Sequence, residues 1–309
     1  MRAMTIPFLQ VLPEVARAIH EHQPVVALET AVVTHGLPAP HNLEIAMRCE
    51  AIVRAEGAVP ATVAMLEGGL RVGLSAEEIE RLAANRAAVK ISRRDIATVH
   101  TRGESGGTTV AATLVAAEAA GVRVFATGGI GGVHRDPHDV SADLPELARA
   151  RVVVVCAGAK SILDLSATLE VLETYGIPVL GYQTDSFPAF YSRDSGLRTS
   201  ARVESEDEAA AFAQAHWQLP RSGGVLLTVP CPVDAAMALA EVEQLLREAL
   251  SESQKEGVRG SLVTPFLLAH IARKSGGKTL SANLALLRNN ALHAARLSVA
   301  ISRLPTADM

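Results

Sequence analysis

Two apolar runs, 122–126 and 152–157, narrow the possible folds more than any other feature of the chain. They lie within VRVFATGGIGGVHRDPHDVSADLPELARARVVVVCAGAKSILD, residues 122–164. Each run passes into glycine and small residues, and ionisable side chains follow. An uninterrupted apolar run of about four to eight residues suits a strand buried on both faces, the normal state of strands in a parallel sheet covered by helices. In such sheets ligands bind just beyond the C-terminal strand ends, where backbone N–H groups and helix N-termini converge. Here those positions carry Gly128, Gly129, Gly131, Gly132, His134, Asp139, Asp143 and Lys160. They read as a phosphate cradle, a cation ligand and a lysine on one rim of a sheet.

The rest of the chain alternates in the same way. A helix is expected over 11–23, a strand over 24–30 ending in Glu29, and a Pro-broken loop through 34–42. Asn42 is placed to cap a helix over 43–56. Strands follow at 59–66 and 70–74, then a helix over 76–85 opened by the capping box Ser75-x-x-Glu78. The polar segment 87–97 carries Lys90, Arg93 and Arg94. The glycine-rich stretch 103–109 reads as a loop opening a helix over 108–120. Further helices are expected at 143–150, 161–175, 205–217, 234–255, 262–274 and 281–302, with strands at 177–184 and 223–231. Strand–helix alternation of this kind predicts an α/β/α sandwich around a largely parallel sheet, with a helical C-terminal tail. Without a repeat, a linker or a low-complexity tract, 1–309 reads as one domain.

Composition excludes several function classes. The net charge of −4 argues against a nucleic-acid partner. No apolar run approaches the roughly 20 residues of a membrane span, and the N-terminus shows no signal-peptide pattern. The three cysteines, Cys49, Cys156 and Cys231, fit no metal spacing and read as buried thiols of a reducing compartment, so a cytoplasmic location is expected.

The candidate chemistry lies at the strand ends. Glu29, next to Thr30 and upstream of His35, is a carboxylate among apolar neighbours, suited to general acid work near neutral pH; the alternative is a solvated strand end. Lys160 follows VVVVCAGA, where reduced hydration favours a neutral amine that can add to a carbonyl. Its alternative is a helix-start lysine in water, although a cation there opposes the helix dipole. Lys90, Arg93 and Arg94 suit phosphate, or a solvated basic turn. GGIGG does not match G-x-G-x-x-G in frame, and SGGTT lacks the lysine of a P-loop. Asp139 and Asp143, with His134 and His138, offer oxygen and imidazole ligands that suit Mn²⁺ or Mg²⁺ better than zinc; alternatively, Asp143 compensates the dipole of its own helix. Asn283, on an apolar helix face, wants a buried partner, and Asn289 and Asn290 rank below it.

ALET-x-V-x-x-HGLP (27–38), VKISRRD (89–95), GGTTVAAT (106–113), ATGGIGGVHR (126–135), DVSADL (139–144), VVCAGAKSILD (154–164), YQTDSFPAFY (182–191) and SANLALLRNNA (281–291) occur in this order. Together they resemble pseudouridine-5′-phosphate glycosidases over about residues 10–302. The resemblance implies reversible cleavage of the C–C bond of pseudouridine 5′-phosphate to uracil and ribose 5-phosphate, an α/β/α sandwich, a homotrimer and one Mn²⁺ per subunit. Carried over by position, it implies an acid at Glu29, a Schiff-base lysine at Lys160 and a catalytic asparagine at Asn283. It also implies substrate contacts at Lys90, Val110, Ser141, Ala142 and Asp143, and a metal ligand at Asp139. The first strand reads ALETAV where that family more often has ALEST.

The implied chemistry suits the residues. Ordinary glycosidases expel oxygen or nitrogen with two carboxylates. A carbon leaving group needs an electron sink, which an iminium on an opened ribose supplies. The alternatives are a ribokinase-like sugar or nucleoside kinase, which lacks its G-x-G-D anion hole here, and a non-catalytic sugar-phosphate-binding protein.

Overall fold

Both focal runs are strands, and the alternation of their side chains builds two cores. The computed structural model describes residues 6–135, 139–258 and 263–304. In chain order its elements are β1 (Leu9–Val11), α1 (Pro13–His20), β2 (Val25–Leu28), a π-turn (Val32–Gly36), α2 (His41–Ala55), β3 (Val59–Leu66), β4 (Gly69–Val72), α3 (Ala76–Ala84) and β5 (Val89–Ile91). A 3-10 turn (Arg93–Asp95) leads into α4 (Ile96–Arg102), β6 (Gly106–Thr108), α5 (Val110–Ala120), β7 (Val124–Ala126), β8 (Val133–His134), α6 (Asp143–Leu147), β9 (Val153–Cys156) and β10 (Leu163–Asp164). The chain continues through α7 (Leu165–Thr174), β11 (Val179–Tyr182), β12 (Ala201–Val203), α8 (Glu206–Trp217), β13 (Val225–Thr228), α9 (Leu239–Lys255), α10 (Val263–Lys274) and α11 (Lys278–Ser302).

The main sheet has the order β1-β4-β3-β2-β7-β9-β13-β11-β12, with β6 joined to β3 and β5 to β6. From β3 through β12 every neighbour on that path is parallel; β4 and β6 run antiparallel to β3. Val25 and Ala27, Phe125, and Val154 and Cys156 face one core, packed by α1, α5 and α7. Val26 and Leu28, Val124 and Ala126, and Val153 and Val155 face the other, packed by α2, α8 and α11. This is the expected α/β/α arrangement, because strands buried on both faces need helices on both sides. Truncating Phe125, which is fully buried, would cost about 3–5 kcal/mol.

The topology places the site. After β2 the chain builds β3 and β4 on one side, then returns to lay β7 against the other edge of β2. The order reverses between β2 and β7, so a crevice opens beyond their C-terminal ends. Helix α11, 25 residues and so about 37 Å long, packs across β2, β7 and β9 beneath that crevice.

Several local expectations hold and others shift. Ser75 and Glu78 form the capping box of α3, worth about 1 kcal/mol. Asn42 does not cap: α2 starts at His41, and the Asn42 amide instead donates to Val33 O and Ala83 O, tying the π-turn to the end of α3. The segment 103–109 is not all loop, since Gly106–Thr108 is a strand. A Cβ at Gly106 would collide with Val89 O, and one at Gly107 would collide with the Thr34 hydroxyl and Thr30 O. The strand therefore excludes the side chains that would have announced it. Helix α7 starts at Leu165 rather than 161, because Leu163–Asp164 pairs with β8 and Asp164 caps the helix. Helix α9 starts at Leu239 rather than 234, and α11 begins three residues earlier than expected, at Lys278.

Candidate active site

Glu29 directly follows β2 and Thr127 directly follows β7, so their side chains meet at the switch point. The Thr127 hydroxyl donates a hydrogen bond to Glu29 Oε1. Part of Glu29 still meets solvent, but its carboxyl is enclosed. On one side lies a cavity of about 30 Å³, lined by Leu28, Val33, Ile45, Cys49 and Leu287. Burial raises the Glu29 pKa above the usual carboxylate value, and Asp143 raises it further; Lys160, the Thr127 hydroxyl and Lys90 oppose the rise. Glu29, Lys160, Lys90 and Asp143 thus share one electrostatic field.

Lys160 is half-buried and follows β9. Its N–H donates to Ile130 O at 3.1 Å, next to an isolated bridge between Ile130 and Ala159. No helix starts there, so the expected conflict with a helix dipole does not arise; α7 begins at Leu165. The setting is also less apolar than the sequence implied, since the ammonium faces Glu29 and Lys90. Lys90 sits on β5 opposite Gly107. Its pKa is lowered by burial of its ammonium and then by Lys160, although the residue as a whole is exposed. Of the cluster Lys90, Arg93 and Arg94, only Lys90 joins the site. Arg93 is bridged to buried Glu146 at 2.6 Å, while Arg94 is 91% exposed beside Asp95.

Asp143 is buried, and its carboxylate caps another helix. Oδ1 accepts the Ala111 N–H at the start of α5 (2.9 Å), and Oδ2 accepts the Gly131 N–H (2.8 Å). It therefore caps the start of α5 while standing, as expected, in the first turn of its own α6. Gly131 must be glycine, since a Cβ there would collide with Ser141 Oγ. The GGIGG turn is accordingly a packing device as much as a cradle. Its Gly131 N–H is taken by Asp143, and its Ile130 N–H by Gly158 O. Ser141 Oγ accepts the Asp143 N–H at 3.2 Å; Ser141 is half-buried and Ala142 exposed. The Val110 side chain is buried in the core at the first position of α5, so only its backbone is available to a ligand.

Asp139 lies at the rim, its side chain 60% exposed, with His134 Nε2 3.7 Å from its carboxylate. His134 N–H donates to Asp139 O at 2.9 Å. Among the described residues no group of three or more His, Cys, Asp and Glu side chains converges on one point. His138 lies outside the described residues.

Asn283, half-buried on α11, makes no side-chain hydrogen bond among the described residues. Asn290, ranked below it from sequence, is fully buried and donates from Nδ2 to Thr127 O (2.8 Å) and Gly128 O (3.3 Å). It stands seven residues, two turns, further along the same helix face. That spacing was the signal available in the sequence. Thr127 itself was missed because a hydroxyl inside a glycine-rich motif carries no pattern of its own. Below the site, Thr30 and Thr108 both donate to Val63 O, and Thr113 donates to Thr108, fixing β2, β3 and α5 together.

Residues 14–300 match the model of a family described as Indigoidine synthase A like protein. A pseudouridine-5′-phosphate glycosidase of Herpetosiphon aurantiacus is 54% identical over 94% of this chain and 96% of its own. One of Symbiobacterium thermophilum is 51% identical over 95% of this chain and 97% of its own. The crystal structure of the prealnumycin C-glycosynthase AlnA in complex with ribulose 5-phosphate is similar with a TM-score of 0.89 and 43% identity, covering 96% of this chain and 98% of that one. An indigoidine synthase A (IdgA)-like protein from Thermotoga maritima is similar with a TM-score of 0.88 and 36% identity, covering 96% and 97%. The chain belongs to the indigoidine synthase A-like family, alongside curated members that carry the name pseudouridine-5′-phosphate glycosidase.

Proposed function

We propose that this protein cleaves the C–C bond of pseudouridine 5′-phosphate reversibly, giving uracil and ribose 5-phosphate. The observation that carries the reading is the shared field of Glu29 and Lys160 at the switch point, in a chain about half identical to relatives with that name. The ribulose 5-phosphate complex of the similar C-glycosynthase supports a pentose phosphate as the ligand class.

Each residue then has a task. Glu29, whose enclosure favours its protonated form, donates a proton to the ring oxygen, so the ribose opens. The Lys160 amine adds to C1′ as the bond to the ring oxygen breaks, giving an amine adduct; its nitrogen lone pair then drives out C5 of uracil and leaves an iminium at C1′. A proton is delivered to C5, the C–C bond breaks, and water later releases ribose 5-phosphate from Lys160. Burial of its ammonium, and then the charge of Lys160, lower the Lys90 pKa and favour its neutral form. Lys90, the Val110 backbone and the segment Ser141, Ala142 and Asp143 hold the phosphate end, so that binding remote from the reacting bond orients it. Asn283 has the place of the catalytic asparagine and would contact the base.

Asp139 and His134 suit a divalent ion such as Mn²⁺ that takes one carboxylate, one imidazole and otherwise water. Bound there, it would supply positive charge beside the phosphate end. A homotrimer of single-domain, cytoplasmic subunits completes the reading. Incubation with pseudouridine 5′-phosphate tests it: free uracil is the expected product. Turnover that depends on ATP would favour the kinase instead. Absence of any turnover with either substrate would favour a binding protein.

A further inference from the structure

His35 belongs to none of the roles above, yet it is built into the same rim. It sits in the π-turn that follows Glu29, and such widened turns recur at functional sites. Four features hold the turn. The Val33 and Thr34 N–H groups both donate to Thr30 O, and the Thr30 hydroxyl is bonded to Val63 O. Asn42 donates to Val33 O, and Gly107 leaves room for the Thr34 hydroxyl where no Cβ would fit. Gly107 is the strand partner of Lys90, so the turn rests on the strand position beside that lysine.

The imidazole is oriented as well. Its Nδ1 lies 2.7 Å from Thr34 Oγ1, while Nε2 has no partner among the described residues and the residue is exposed. A ring anchored at one nitrogen and bare at the other, next to an ammonium, is arranged for an anion. We propose that His35 is a second donor to the 5′-phosphate of the substrate, binding it from Nε2 beside Lys90. This rests on the reading of Lys90 as a phosphate contact. In the free protein the His35 pKa is lowered by burial and by Lys90. Among the elements packed on the turn, Lys90 of β5 supplies the charge that acts on His35; α2 carries Glu44, Arg48, Glu50 and Arg54, and α3 carries Glu77, Glu78, Glu80 and Arg81. A phosphate dianion between the two cations reverses that influence, so binding draws a proton from solvent onto His35.

Calorimetry in two buffers of different ionisation heat reads this directly, using ribose 5-phosphate, ribose and inorganic phosphate as probes. The parent should take up protons on binding ribose 5-phosphate near neutral pH. His35→Ala should bind it roughly 10- to 100-fold more weakly, the range of one charge-assisted hydrogen bond, and lose the uptake. His35→Gln keeps an N–H donor but does not titrate, so it should recover most of the affinity without the uptake. Inorganic phosphate should show the same ordering, and ribose no dependence on residue 35. Unchanged affinity and uptake in His35→Ala, or an equal loss for ribose, would overturn the proposal. Uracil release scores the reaction separately: a chain that releases no uracil but shows the calorimetric difference keeps the phosphate contact and loses the reaction.

Discussion

Two charged clusters share the rim of this sheet, and they are wired differently. In one, buried Glu146 is clamped by Arg93 at 2.6 Å and Arg149 at 2.5 Å. In the other, Glu29, Lys160, Lys90 and Asp143 act on one another's charge, yet among the described residues none of the four forms a direct ion pair with another. Asp143 spends its oxygens on backbone N–H groups, and Glu29 accepts from a threonine. A carboxylate neutralised by contact is a structural tie. A carboxylate and amines that meet only through their fields keep their protons and lone pairs available for a ligand.

Perturbing each cluster should separate the two. The largest effect is expected from Lys160→Ala, with kcat down by about 10³-fold or more and the melting temperature unchanged. Glu29→Gln should lower kcat by about 10²- to 10⁴-fold. It should also raise the melting temperature relative to the parent as pH rises above the usual carboxylate range. The Glu29 carboxyl has a raised pKa in the fold, so its contribution to stability is complete at low pH and is lost as pH rises through the folded value. Parental activity should fall over the same range on the alkaline side, as Glu29 loses its proton. Asn290→Ala strips two hydrogen bonds from the turn at 127–128 and should cost about 1–3 kcal/mol in chemical denaturation, with activity down roughly tenfold. Arg93→Ala comes last: it leaves Glu146 with Arg149 alone, costs about 1 kcal/mol, and leaves kcat within about twofold. A larger activity loss in Arg93→Ala than in Asn290→Ala would erase the distinction between the clusters.

The architecture was legible because its signal is local. Runs such as Val152–Ala157 announce a strand buried on both faces, and Ser75 with Glu78 announces a helix start. What sequence could not reveal depends on contacts between distant residues. Gly106–Thr108 carries no side-chain pattern because backbone and hydroxyl groups from elsewhere fill the space. Asp143 looked like a cap for its own helix, since nothing in the sequence shows that α5 starts beside it. Arg93 and Lys90, three residues apart, are equivalent in sequence, and only the distant Glu146 beside Arg93 separates them. Asn290 was underrated for the same reason: its carbonyl partners lie more than 160 residues earlier.

The central claim is that the Lys160 amine forms the bond to the opened sugar. Borohydride added in the presence of ribose 5-phosphate, followed by mass mapping of the modified peptide, tests it most directly. The account predicts a single reduced adduct on Lys160, absent in Lys160→Ala. An adduct on Lys90 instead, or full turnover with no trappable lysine, would contradict it.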